Sequence, residues 1–566
     1  MVKSYLSTAV FLIFSFFTAH SQVGPYKYSQ QKKTVTSKAA VVSAHPLASN
    51  AGLQMIKQGG NAIDAVIATQ LALAVVYPGA GNIGGGGFLV AHLKNGKNIS
   101  IDYRETAPAH ASRDMYLDSA GNAVAELSQS GRLACGVPGT IAGIFACMKY
   151  AKLPFKKIIA PAIELAEKGF AITESQAQSF NYAKKEFEEV NIIPVVFVKE
   201  RLWKAGDTLI QPELAATLKR IRDLGAKGFY EGKTADLIVA EMKRGNGIIT
   251  KQDLKNYQAK ERDVLKFNYK DVQVISMPLP TSGGIIVEQL MKMTDHRNIA
   301  AMGFETAASV QLMIEAERRA FADRANFLGD PDFIKVPVEK MVDNEYLRQR
   351  MSDFTPGKAG SSDVTKAGMI HESEQTTHIS IVDGEGNAVS VTTTLNGGYG
   401  SKTVVAGAGF ILNNEMDDFS AKPGVPNMYG AVGNAANAIA PNKRMLSSMT
   451  PTIVLKNNKP YIVVGTPGGT TIPTSVYQSL MDILEFKLKP EDAVNKPKFH
   501  HQWLPDVVDV ERDFPKDVLT QLKNMGYKIN VRGAIGRTEL IVISPRGKRT
   551  ITAIADKRGD DDARGL

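Results

Sequence analysis

From residue 353 to residue 374 the chain is polar and has no hydrophobic period, and it carries Pro356-Gly357, Gly360-Ser361-Ser362 and Gly368. Directly after Gln375-Thr376 the pattern becomes that of a strand: Thr377, His378, Ile379, Ser380, Ile381, Val382. Two readings fit so sharp a junction. One is an ordinary loop running into a Thr-rich strand. The other is a self-cleavage point, because scission before Thr376 would place a hydroxyl and a free α-amine on one residue. An α-amine has a pKa of about 7.7–8.0, far below that of lysine, so it can act as a base near neutral pH.

The rest of the chain bears on which reading holds. Its 566 residues, 44% hydrophobic and 22% charged, describe a globular protein of two to four domains. Lys3 precedes an apolar run from Ala9 to Ala19, and Ala19-His20-Ser21 has the small-x-small form of a signal-peptidase site. Residues 1–21 therefore read as a signal peptide, with export to the periplasm or the medium. A retained anchor is the alternative, although the run is short for a bilayer span. No stable membrane association is expected of the mature chain.

The two cysteines, Cys135 and Cys147, could pair or stay as buried thiols. No Cys-x-x-Cys or His-x-x-x-His spacing occurs, so no metal and no cofactor is expected. The formal charge of +10 is dispersed among acids, without a basic run interleaved with aromatics. Nucleic acid is thus not an expected partner. A basic surface suits an anionic small substrate.

Residues 37–45 read as a strand. Asn61 reads as the N-cap of an apolar helix from Ala62 to Val75, and Phe88–Leu93 and Asn98–Tyr103 as two further strands. Helical spacing marks Pro161–Lys168, Pro212–Leu224 and Val310–Phe327, the last capped by Ser309. Strand character returns at Ala408–Leu412, Thr452–Leu455 and Tyr461–Val464. The chain then gives a helix, Lys516–Met525, and a strand, Glu539–Ser544. Strands at both ends with helices between favour a layered α/β or α+β domain.

After strand Thr377–Val382 the turn Asp383-Gly384-Glu385-Gly386-Asn387 leads into Ala388–Leu395, which reads as a hairpin. Thr392 and Thr394 share a face, so Thr394 could return beside Thr376. Asn396 follows, where its amide could grip a polar ligand.

On these and further segments the sequence resembles the γ-glutamyltransferases, secreted N-terminal-nucleophile hydrolases. The junction Gln375-Thr376-Thr377-His378-Ile379-Ser380 resembles the processing site of that family. Asn413-Asn414-Glu415-Met416-Asp417-Asp418-Phe419 resembles its acidic substrate loop, Lys443–Pro451 its Ser-Ser segment and Gly465-Thr466-Pro467-Gly468-Gly469 its glycine loop. Gly81–Phe88, Asp102–Glu105, Glu317–Phe333 with Ala322-Asp323-Arg324, and Phe499–Pro505 also match, in the family's order.

The resemblance implies a four-layer αββα sandwich of α+β class. It also implies autoproteolysis of the Gln375–Thr376 bond, separating a large subunit, 22–375, from a small one, 376–566, with 353–375 as the linker. The two would stay associated. Thr376 would be the nucleophile, oriented by Thr394, with Gly468 and Gly469 as an oxyanion hole. The substrate would be glutathione or another γ-glutamyl compound, with water, an amino acid or a peptide as acceptor. Such a substrate carries an α-carboxylate and an α-ammonium. Arg104 with Ser447 and Ser448 would take the first, and Asp418, Glu415 and Asn396 the second. The stretch Ser420–Lys443 resembles a lid found in some members, with Tyr429 in it.

Plainer readings stand beside these. Arg104 could be a surface ion pair with Glu105, Ser447-Ser448 a cap or turn, and Gly465–Gly469 a loop. Gly84–Gly87 lacks the lysine of a phosphate loop and reads as a structural turn. At the level of the whole protein, an acylase of the same architecture and an exported binding protein that never matures are the rivals.

Overall fold

The structure, a computed structural model, describes residues 24–362, 376–545 and 547–566. The expected signal peptide and Gln375 lie outside the described residues.

Two seven-stranded antiparallel sheets form the centre. One runs Asp562–Gly565, Ala40–Ser43, Thr376–Val382, Ala388–Thr394, Gly86–His92, Asn98–Asp102, Lys260–Arg262. The other runs Lys33–Thr36, Ile551–Ile554, Glu539–Ile543, Lys459–Gly465, Thr452–Lys456, Val272–Ser276, Leu265–Tyr269. Side-chain alternation decides what each face meets. Val42, Phe88 and Val90 of the first sheet pack on Ile275, Ile453, Val463 and Ile541 of the second. The opposite face of the first sheet, with Ile379, Ile381, Val389 and Val391, packs on helices Pro46–Lys57 and Ala62–Val76. The outer face of the second sheet, with Val274, Val454, Ile462 and Leu540, packs on helices Gly283–Asp295, Ala307–Phe327 and Thr471–Leu484. The layers are thus helix, sheet, sheet, helix, the αββα sandwich that the resemblance implied. Each fully buried Ile, Leu or Val contributes about 1.5–3 kcal/mol to holding them together.

Helix Ala62–Val76 is buried along its whole length. Asn61 caps it, as the sequence predicts, and closes a reciprocal box with Asp64. Other expectations need correction. Ser309 is not the cap of the helix that ends at Phe327; Thr306 is, and Ser309 completes its box from inside. The helix expected from Pro161 starts at Phe155 and runs through the proline, where exposed Lys157 loses its intrahelical partner. Ala408–Leu412 is not a strand. Gly407 and Gly409 take positive φ there, and only isolated bridges at Ile411 and Leu412 remain. The middle of the chain also supplies three strands of the two central sheets, Lys260–Arg262, Leu265–Tyr269 and Val272–Ser276, and a small pair, Phe170–Ala171 with Thr208–Leu209, that the helical reading passed over. Gly86 and Gly87 are not a turn but the start of a strand. A Cβ at Gly86 would lie 2.5 Å from Glu105 Oε2, so glycine here admits the Arg104-Glu105 segment. Cys135 and Cys147 are both buried and are not bridged.

Candidate active site

The site forms where the two central strands of the first sheet end. Of the strand Thr376–Val382, only Ile379–Val382 is paired by Ala40–Ser43, so the Thr376 end has a strand partner on one side alone. On that side Thr376 faces Thr394 in register, and their hydroxyl oxygens are 3.4 Å apart. The Thr394 hydroxyl also accepts a 2.8 Å bond from the Asn396 backbone N–H. His378, two residues on, is buried between the sheets, with Nδ1 2.9 Å from Thr392 Oγ1. Burial pushes its pKa down to about 3, so it is neutral at physiological pH and carries no catalytic charge.

Arg104 enters from the strand Asn98–Asp102. Its backbone N–H donates to Asp102 at 3.0 Å, and its carbonyl accepts from the Tyr257 hydroxyl at 2.7 Å. These bonds fix the direction of the guanidinium. One terminal nitrogen pairs with Glu415 and the other with Asp418, while Glu105 lies 3.8 Å away. Burial works against the arginine charge, but Glu415, Asp418 and Glu105 outweigh it and hold its pKa above the ordinary value. Three acids around one cation leave surplus negative potential. Burial raises Glu105 to about 8 and lifts Glu415 well above the carboxylate range, with Arg104 opposing in both cases.

The two acids of the 3-10 turn Glu415–Asp418 that pair with Arg104 are not equivalent. The Glu415 side chain is fully buried behind Arg104, whereas Asp418 keeps 14% of its side chain exposed, facing the pocket. Asp418 is the carboxylate that an incoming ammonium would meet.

The pocket is narrow, with a cavity volume of about 30 Å³, and brings together Thr376, Thr394, Asn396, Arg104, Asp418, Tyr429, Ser447, Ser448 and Gly469. Of the residues singled out from sequence, Glu415 and Gly468 stand just outside its lining. Gly468 lies at φ +138° and Gly469 at φ +55°, and a Cβ on Gly469 would come within 2.6 Å of the Tyr429 ring. Only glycine fits so close an approach. The loop leads into helix Thr471–Leu484, whose N-terminal end carries partial positive charge suited to a developing oxyanion. Asn396 sits at φ +74° and turns its amide to the Asn414 carbonyl at 3.0 Å.

Tyr429 covers the pocket, its hydroxyl donating to the Asn396 carbonyl. The segment carrying it is tied down by acids: Asp417 accepts from the Met428 N–H at 2.9 Å, and Asp418 from the Asn427 amide at 3.0 Å. Gln502, in the Phe499–Pro505 segment, donates to the Tyr429 carbonyl at 3.2 Å and accepts from the Thr470 hydroxyl. It therefore ties the cover to the glycine loop. Nothing in the local sequence pattern marks Gln502 for this part.

Ser447 and Ser448 lie on an irregular stretch held to Ser282 by a 2.8 Å backbone bond. Arg324, from helix Ala307–Phe327, lines the pocket behind them and donates to Ser448 Oγ at 3.2 Å. No group of three His, Cys, Asp or Glu among the described residues is arranged to hold a metal ion.

This arrangement offers a hydroxyl nucleophile, two N–H-rich glycines, buried cations and an open carboxylate, which together suit attack on an amide of a zwitterionic substrate. Comparison with known proteins points the same way. The family profile described as Gamma-glutamyltranspeptidase matches residues 48–566. The chain is 44% identical to the Glutathione hydrolase proenzyme of Escherichia coli strain K12 over 527 residues, 92% of this chain and 90% of that one. Among solved structures, the cephalosporin acylase of Bacillus halodurans matches with a TM-score of 0.84 at 28% identity, covering 96% of this chain and 98% of that one. Gamma-glutamyltranspeptidase of Helicobacter pylori matches with a TM-score of 0.56 at 40% identity, covering 60% of this chain and 99% of that one.

Proposed function

The chain belongs to the gamma-glutamyltranspeptidase family of N-terminal-nucleophile hydrolases, and on that premise we propose which of its residues do the chemistry. It is an enzyme that cleaves γ-glutamyl amides and passes the γ-glutamyl group on. Glutathione is the donor that the names of its relatives favour, with water, amino acids or small peptides as acceptors. The observation that carries the assignment is the Thr376–Thr394 pair opening into a pocket that also holds Asp418 and the Ser447-Ser448 edge.

In the precursor the Thr376 hydroxyl attacks the Gln375 carbonyl. The peptide bond becomes an ester, the α-amine is freed, and water releases the Gln375 carboxylate. Segments 22–375 and 376–566 then remain associated through the shared sheets, since each sheet contains strands from both. In the mature enzyme the same hydroxyl attacks the donor's γ-carbonyl. The Thr376 α-amine takes the hydroxyl proton and returns it to the leaving amine. The oxyanion is stabilised at Gly468 and Gly469, and Thr394 orients the nucleophile. Asp418 receives the α-ammonium with Asn396 at its side, while Glu415 holds Arg104 in place from behind. Tyr429 closes the pocket over a small donor. Residues 1–21 direct export, and no helix among the described residues is long and apolar enough to cross a membrane.

The acylase reading shares the nucleophile but needs no ammonium site. Turnover of γ-glutamyl anilide against glutaryl anilide separates the two, since the glutaryl group lacks the ammonium. A preference of about a hundredfold or more for the γ-glutamyl donor is expected, because a buried charge left unpaired costs several kcal/mol. Equal turnover of both would contradict the donor assignment.

A further inference from the structure

We propose that Arg324 is a second cation of the donor site and receives the α-carboxylate of the γ-glutamyl group beside Ser447 and Ser448. The proposal rests on the donor class given above and adds a residue to it. Arg324 stands near the end of helix Ala307–Phe327, in the pocket wall, and is buried. Its Nε donates to Ser282 Oγ at 3.1 Å and its Nη2 to Ser448 Oγ at 3.2 Å. Both partners are neutral hydroxyls.

That sets it apart from the other buried arginines. Arg318 and Arg319, on the same helix, pair with Asp506 and with Glu315. Arg132 pairs with Glu241 at 2.7 Å and Arg444 with Asp102 at 3.3 Å. Arg324 has no carboxylate within 4.0 Å among the described residues. Burying a guanidinium without a counter-charge is costly, and the cost is met when an anion binds. Burial, with the nearby Arg104 charge adding to it and Asp418 opposing, brings its pKa down only to about 10, so it stays protonated at neutral pH.

Arg104 is placed differently. Each of its terminal nitrogens is already on an acid, Glu415 or Asp418, and its side chain is 1% exposed. A zwitterion entering the pocket finds the open carboxylate of Asp418 at one side. At the other it finds Ser448 with an uncompensated guanidinium behind it. The α-ammonium and the α-carboxylate match these two in sign. Arg324 then adds to the carboxylate side of the pocket a charge that no carboxylate of the protein within 4.0 Å offsets, among the described residues.

The test uses the purified enzyme with two donors, γ-glutamyl anilide and 4-aminobutanoyl anilide. The second keeps the amine and the scissile amide but lacks the carboxylate. R324Q is expected to raise KM for γ-glutamyl anilide by about 10- to 100-fold, the range for losing a hydrogen-bonded charge, with kcat changed little. Its kcat/KM for 4-aminobutanoyl anilide should match the wild type. R324K, which keeps the charge but not the planar fork, should recover part of the KM. A loss in R324Q that falls equally on both donors would overturn the proposal and leave Arg324 as a support for Ser448. If R324Q does not mature, R324K carries the test: a KM increase confined to the carboxylate-bearing donor supports the proposal, and a donor-independent change overturns it. A wild type that does not favour γ-glutamyl anilide over 4-aminobutanoyl anilide would overturn the donor assignment itself, and this proposal with it.

Discussion

Replacing Thr376 by alanine is expected to leave the chain uncut and to lower turnover by about 10⁴-fold or more. The size follows from the loss of two functions at once. The hydroxyl is the attacking group both in maturation and in catalysis, and the uncut chain has no free α-amine to serve as base. Groups that act as a unit are lost together rather than additively. No neighbour replaces them. Thr394 Oγ1 is 3.4 Å away but has no α-amine of its own, being the last residue of the strand Ala388–Thr394. His378 is held neutral between the sheets and is bonded to Thr392. T376S, which keeps the hydroxyl, is expected to mature and to turn over. Gel mobility and anilide hydrolysis read both variants. An alanine variant that still matures would show that another group cuts the chain.

D418A is expected to raise KM for γ-glutamyl anilide by about 10²- to 10³-fold while glutaryl anilide is affected far less. Asp418 is the one acid of the cluster open to the pocket, and it also carries half of the Arg104 pairing. Removing it deletes the counter-charge for the substrate ammonium and leaves Arg104 with Glu415 and the more distant Glu105. Breaking a buried pair by deleting one partner costs about 3–5 kcal/mol. The same deletion frees the Asn427 amide, so the cover over the pocket loosens as well. The two-donor comparison separates these effects, because a loosened cover acts on both donors and a lost counter-charge on one. Equal losses on both would place the role of Asp418 in holding the lid rather than in reading the ammonium.

Some of this was legible in the sequence, for identifiable reasons. The hairpin that sets Thr376 opposite Thr394 follows from two seven-residue strands joined by a short Gly-rich turn, which fixes their register. The N-cap at Asn61 is local and is where the sequence puts it, although the reciprocal bond to the Asp64 side chain comes only from the structure. Gly468 and Gly469 could be marked because positive φ and close approach leave a residue-type trace. What depends on packing between distant segments left no such trace. Arg318, Arg319 and Arg324 are three arginines on one helix, and only the fold decides that two are paired and one is not. Glu415 and Asp418 lie three residues apart, yet only the turn they occupy decides which one faces the pocket. Gln502 reaches the Tyr429 carbonyl across 73 residues of sequence. Ala408–Leu412 misled because the apolar run Phe410-Ile411-Leu412 suggests a strand while Gly407 and Gly409, at positive φ, bend the chain away from it.

The central claim is that the bond before Thr376 is cut by Thr376 itself and that the cut makes the enzyme. The direct measurement is the intact mass and N-terminal sequence of the purified wild-type protein under denaturing conditions. The expected result is two polypeptides, the smaller beginning Thr376-Thr377-His378 and ending at Leu566, with γ-glutamyl anilide hydrolysis rising in step with their appearance. A single full-length chain that persists on incubation and hydrolyses the anilide at full rate would contradict it.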